Sequence, residues 1–235
     1  MLSRRHFLFL TGTALLAPSL SWTEEAPALL DHILLGCSNL EGGIAFVEKL
    51  TGIRAAFGGV HPGRGTQNAL LSLGDRHYLE IIAPDPKQPT SSGPQTFAEL
   101  KNLSQPRLIG WAAHPGDLEK YASRLRAAGI AFAGPTPGSR ARPDGRTLHW
   151  KTLNLADDHS GVLPFFIEWS ADSIHPSVDA PSGCRLGHFA IADPNPAALT
   201  KMLQQLALDV PVERSDRPQL RARITGPHGT LETSS

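Results

Sequence analysis

One order of signals is written three times along this chain: a short apolar strand, a capped amphipathic helix, then further extended segments. In the first copy Leu30-Asp31-His32-Ile33-Leu34-Leu35-Gly36 reads as a strand. Asn39-Leu40-Glu41 then opens a helix with Ile44, Phe46, Val47 and Leu50 at helical spacing and Gly52 beyond its end. Extended segments follow near 54–60, 67–73 and 76–83, the last two joined by a tight turn at Ser72-Leu73-Gly74-Asp75-Arg76. In the second copy Leu108 to Ala113 is the strand, and Asp117 caps a helix with Leu118, Tyr121, Leu125 and Ala128 on its apolar face. Segments near 131–139, 146–155 and 162–170 complete it, with a turn at Pro143-Asp144-Gly145. The third copy is shorter: a strand from Cys184 to Ile191, a helix from Pro196, and segments near 210–214, 219–225 and 229–233. The expected fold is therefore α+β, built from tandem βαβββ units at 30–86 and 107–170, with a shorter βαβββ-like unit appended at 184–235.

Three of the strands carry a polar residue that their apolar surroundings do not explain. His32 sits in the first strand of unit one, and Glu80 sits in its last, Tyr78-Leu79-Glu80-Ile81-Ile82. The matching strand of unit two, Leu163-Pro164-Phe165-Phe166-Ile167-Glu168-Trp169, carries Glu168. A buried, unpaired carboxylate costs several kcal/mol, so such residues are normally paired, protonated or bound to metal. Strand alternation puts Tyr78, Glu80 and Ile82 on one face, and Phe166, Glu168 and Ser170 on one face. His188 and Glu232 fall at the same places in unit three and are assigned a structural role first, because that unit has no partner unit. Arg64 and Asn68 are candidates to orient an anionic or carbonyl group, since a guanidinium grips a carboxylate with two parallel hydrogen bonds. Trp111 and Trp150 are candidates for a pocket wall, with core packing as the competing role.

Composition limits the partners. Of 235 residues, 19% are charged and the formal net charge is +0, which argues against strong attraction to nucleic acid or anionic membrane. The opening Ser3-Arg4-Arg5-His6-Phe7-Leu8 and the apolar run after it look like a twin-arginine export signal over 1–21, leaving a mature chain from about Trp22. An uncleaved anchor helix is the alternative. The signal places the mature protein in the periplasm or outside the cell, free of the membrane once cleaved. Cys37 and Cys184 are the two cysteines; strand burial accounts for both, and a disulfide between them stays open.

Leu30-Asp31-His32-Ile33, His61-Pro62-Gly63-Arg64-Gly65-Thr66 with Asn68, Tyr78-Leu79-Glu80 and the strand around Glu168 together resemble the vicinal oxygen chelate superfamily, and within it the glyoxalase-like domain group. In that superfamily two units form a cupped, partly open β-barrel whose concave side chelates one divalent metal. The resemblance implies that His32, Glu80 and Glu168 hold the metal (Zn, Mn, Fe or Ni), with the fourth ligand place falling on Gly110, which has no side chain. It implies catalytic roles for Glu80 and Glu168, one of them moving a proton at the carbon beside a substrate carbonyl. The expected activity is that of an exported, metal-dependent lyase, isomerase or dioxygenase-type enzyme on a small oxygenated molecule. The missing ligand at Gly110 motivates an alternative, a metal-free protein that binds or sequesters a small molecule. A third option is a structural protein that uses unit three to form a homodimer.

Overall fold

The computed structural model describes residues 26–74, 76–88 and 99–235; the expected export signal and Asp75 of the expected turn lie outside the described residues. Unit one comprises β1 (Leu30–Gly36), α1 (Leu40–Thr51), β2 (Ala56–His61), β3 (Thr66–Ser72) and β4 (Tyr78–Pro84). Unit two comprises β5 (Arg107–Ala113), α2 (Leu118–Ala127), β6 (Phe132–Ala141), β7 (Thr147–Leu155) and β8 (Phe165–Trp169). After a four-residue helix, α3 (Pro176–Asp179), unit three follows as β9 (Arg185–Asp193), α4 (Pro196–Gln205), β10 (Val212–Arg214), β11 (Gln219–Gly226) and β12 (Gly229–Ser234).

The helices start where the sequence supplies an oxygen for their free amides. The Asn39 side chain accepts from the Gly42 N–H, and the Asp117 side chain accepts from those of Glu119 and Lys120. Asn195 does the same for Ala198, with Pro196 at the first helical position. Gly52 ends α1 at φ +83°, a left-handed conformation that a Cβ disfavours.

Units one and two share one eight-stranded sheet in the order β2-β3-β4-β1-β5-β8-β7-β6. The two first strands, β1 and β5, run antiparallel at its centre, each flanked by the parallel last strand of its own unit. The edges, β2 and β6, curl towards each other: a Cβ at Gly59 would lie 2.7 Å from the carbonyl oxygen of Ala141. The result is the expected cupped, partly open barrel.

Strand alternation then sorts side chains between two faces. Ile33, Leu35, Leu79, Ile81, Leu108 and Phe166 are fully buried in the convex-side core with Val47, Leu118 and Leu125 of the helices. Burying each contributes roughly 1.5–3 kcal/mol. Their alternating neighbours face the cup.

Unit three forms a separate four-stranded sheet, β10-β9-β11-β12. Here β10, not the last strand, lies parallel beside β9, so the third copy keeps the order of elements but not their pairing. It packs against unit two: Phe189 meets Trp111 edge-on at 5.2 Å, and the Tyr121 hydroxyl donates to the Leu206 carbonyl. His188 faces Glu213 and Glu232 pairs with Arg223, in keeping with structural roles. Both cysteines are buried free thiols, and burial pushes that of Cys37 up to about 11.

Candidate functional site

The cup holds a cavity of about 600 Å³. Its walls are the alternate residues of successive strands: His32 and Leu34 from β1, Tyr78, Glu80 and Ile82 from β4, Phe165, Ile167 and Trp169 from β8, and Trp150, Thr152 and Asn154 from β7. One side is polar and the other aromatic.

On the polar side His32 lies between two buried carboxylates. Its Nδ1 is 2.7 Å from Asp31 Oδ1, and its Nε2 is 3.5 Å from Glu80 Oε2. Adjacent residues of a regular strand face opposite ways, so Asp31 reaches the ring only because β1 is irregular there. Leu30 and His32 pair with the consecutive residues Ala113 and Ala112, leaving Asp31 as the extra residue of a bulge. Asp31 is fully buried and also accepts from Trp169 Nε1 and from His175 Nε2, each at 3.2 Å. Burial by itself raises its pKa, but the hydrogen bonds from His175 and His32, with their charge, outweigh it and hold the carboxyl well below its usual range. An ionised Asp31 takes the hydrogen bond from Nδ1, so Nε2 is the ring nitrogen that His32 turns towards the cup and Glu80. Tyr78 stacks on the imidazole at 4.4 Å and Phe165 meets its edge, which fixes the ring plane.

Glu80 is buried as well and lines the cavity. Asn68 Nδ2 donates to its Oε1 at 2.6 Å and lies 3.4 Å from His61 Nε2. Arg140 Nη1 donates to Asn68 Oδ1 at 2.9 Å, and because a guanidinium only donates, the amide orientation is fixed. The burial penalty on Glu80 is outweighed by His61, His32, Asn68 and Arg140, so it stays ionised to lower pH than a free carboxylate. Burial, helped by Arg140 and Arg64 and opposed by Glu80, pushes His61 down to about 4. His61 is thus a neutral ring that donates from Nδ1 to Thr66 and accepts from Asn68.

The expected site residues divide. His32, Glu80 and Asn68 meet in the cup, with Arg64 exposed at its mouth. Glu168 does not join them. Ala112 pairs with His32 and with Phe165, so Phe165, Ile167 and Trp169 take the cup side while Glu168 turns with Phe166 to the helices. There Glu168 Oε2 accepts from the Leu118 N–H at 2.7 Å, placing a carboxylate at the positive end of α2. The shared face of Phe166 and Glu168 is as expected; it is the other side of the sheet. Trp111 is also corrected. It pairs with Ile33, is 1% exposed, donates to the Val162 carbonyl and belongs to the core, whereas Trp150 does line the cup.

The metal expected from the resemblance can be tested against these donors. Glu168 faces away, and a Cβ at Gly110, opposite Leu34, would meet nothing within 4 Å, so that ligand place is open space. His61 Nε2 is engaged by Asn68 and faces Glu80 Oε1, while His32 faces Oε2. Only His32 Nε2 and Glu80 Oε2 remain to share one point. Among the described residues no group of three His, Cys, Asp or Glu side chains is arranged to hold a metal ion. A catalytic zinc is held by three protein ligands, and this donor set does not supply them.

Comparison with known proteins bears on the fold. The model of the glyoxalase-like domain family matches residues 30–207. The chain belongs to that family, a branch of the vicinal oxygen chelate superfamily. A hypothetical protein from Staphylococcus aureus superposes with a TM-score of 0.60 at 16% identity, over 87% of this chain and 84% of that one. Methylmalonyl-CoA epimerase from Mycobacterium tuberculosis gives a TM-score of 0.45 at 22% identity, over 66% and 93%. A hypothetical protein from Bacillus halodurans gives 0.44 at 18%, over 62% and 96%. No curated protein matches the chain.

Several cup residues of this glyoxalase-like chain escape sequence reasoning. Asp31 lies inside the quoted motif, but its role depends on a bulge. His61 lies in a motif whose loop-like glycines hide a strand end. His175 comes from the linker after unit two. Arg140 has one indirect signal, the consecutive Gly58 and Gly59 within an extended segment, where a missing side chain marks a close approach.

Proposed function

We propose that the cup of units one and two takes a small oxygenated molecule and moves a proton at the carbon beside its carbonyl, with His32 as the base. The observation that carries this is the position of His32: one ring nitrogen on a buried carboxylate, the other 3.5 Å from a second carboxylate, at the wall of a cavity. Asp31 holds the tautomer and Glu80 stabilises the imidazolium formed when Nε2 takes the proton; such groups contribute roughly 10²–10⁴-fold. No step is routed through a metal, because the donors do not fit one. The test is deuterium uptake in D₂O, followed by NMR, across a panel of hydroxy ketones and 2-oxo acids. We expect exchange above the solvent rate that survives chelation and is lost in His32→Gln. Exchange that persists in that variant, or none with any compound, overturns the reading, and exchange restored only by added Mn or Zn reinstates a metal-dependent enzyme.

The aromatic side of the cup favours a second reading, binding without turnover. Ligand-dependent thermal stabilisation that survives His32→Ala, with no exchange, supports it. The reading also takes the protein as exported on Arg4-Arg5; cell fractionation should find it in the cytoplasm when both are replaced by Lys.

A further inference from the structure

A buried arginine in this cup has most of its donors unused. Arg140 is 4% exposed and stands on β6, the edge strand of unit two. Its Nη1 donates to Asn68 Oδ1 of unit one, across the seam where the barrel stays open. That is the one hydrogen bond of its side chain among the described residues, and no carboxylate there lies within ion-pair distance of it. A guanidinium has five N–H donors in a planar fork. Arg140 lines the cavity, and no fully enclosed side-chain nitrogen or oxygen lacks a partner, so its remaining donors reach the cavity space. Burying a charge with so few partners is costly unless an anion completes it.

The fold makes room for this crossing. A Cβ at Gly58 would lie 2.6 Å from both Arg140 Nη1 and Asn68 Oδ1, and one at Gly59 would lie 3.1 Å from Nη1. The β2–β3 pairing also slips between Phe57 and Gly59, bending the edge strand at that point. Asn68 stands between the guanidinium and Glu80, accepting from the first and donating to the second, so Arg140 is not consumed by a salt bridge. Trp150, Trp169 and Phe165 line the same cavity and offer aromatic surface to the rest of a ligand.

We propose that Arg140 is the anion receptor of the cup, and that the ligand is an aromatic carboxylic acid with a second oxygen on the neighbouring carbon. The carboxylate accepts the free fork of Arg140, the aromatic part lies against the tryptophans, and the hydrogen-bearing carbon beside the ketone faces His32. This deepens the proton-transfer reading and rests on the same cavity, but binding and exchange are separate measurements.

The experiment compares phenylpyruvate with phenylacetone, its neutral analogue lacking the carboxylate, by calorimetric titration of the full mature chain. The expected result is binding of phenylpyruvate at least about tenfold tighter in the wild type. The preference should vanish in Arg140→Met, shrink in Arg140→Lys, which keeps charge but loses the fork, and remain in Arg146→Met, an exposed arginine outside the cavity. Gly58→Ala, which leaves the guanidinium in the chain but crowds its path, should also reduce it and keeps the question answerable if Arg140→Met misfolds. Equal binding of the two compounds, no binding of either at millimolar concentration, or an unchanged preference in both Arg140→Lys and Gly58→Ala overturns the proposal. Tight carboxylate binding without deuterium exchange upholds Arg140 and removes the proton transfer; exchange on neutral ketones alone does the reverse.

Discussion

Units one and two are built to the same plan, yet only unit one turns the acid of its last strand into the cup. In unit one β4 pairs with β1 so that Glu80 lies across from Leu34 and shares its face with His32 and Tyr78. In unit two β8 pairs with β5 through Ala112–Phe165 and Ala113–Phe166, which sends Glu168 outward to the start of α2. A shift of one residue in pairing exchanges the two faces of a strand. The same residue type at the same place in a repeat is thus a wall of the cavity in one unit and a helix anchor in the other. Unit two contributes aromatic surface and a guanidinium instead of ligands.

That contrast can be broken or sharpened by substitution. The largest expected effect comes from Trp111, set against Trp150. Trp111→Ala should cost about 3–5 kcal/mol in denaturant unfolding, because it leaves a core cavity and an orphaned Val162 carbonyl. Trp150→Ala should change stability much less and weaken ligand binding; equal losses at both sites would erase the distinction between core and cup. Glu80→Gln should slow deuterium exchange by roughly 10²-fold or more, while Glu168→Gln leaves the rate unchanged; a comparable loss in both would return Glu168 to the site.

The next effect is a pH dependence centred on His61 of unit one. His61 is held down to about 4 in the folded protein, against about 6.5 for a free imidazole. The unfolded chain therefore binds the proton first as pH falls. Stability from this group is complete above about pH 6.5 and is lost as pH drops towards 4, with a ceiling of about 3 kcal/mol. Melting curves should show that slope in the wild type and a flatter one in His61→Asn; an identical slope would mean that other groups carry it. The smallest effect is at the helix anchor. Glu168→Ala should destabilise by about 1 kcal/mol, the size expected for losing a side-chain acceptor at a helix start, measured by chemical denaturation.

Much of this is legible in the sequence. The caps Asn39, Asp117 and Asn195, the terminating Gly52 and the alternation of apolar residues set the helices and strands within a few residues, because each depends on neighbours close in the chain. His32 and Glu80 stood out as polar residues in apolar strands. Their meeting was an inference from the repeat.

What the chain by itself determined is the list of elements and the alternation within each strand. Which side of a strand is inside was decided only by tertiary pairing, since alternation has a period of two and the partner's register chooses between the two answers. That is why Glu168 and Trp111 left the site and Trp150 entered it. The contacts that complete the cup span long separations: Asp31 with His175 and Trp169, and Asn68 with Arg140. The first pair of contacts exists because β8 lies one strand beyond β5 from β1, and the second because the sheet curls its two edges towards each other; no local sequence pattern encodes either.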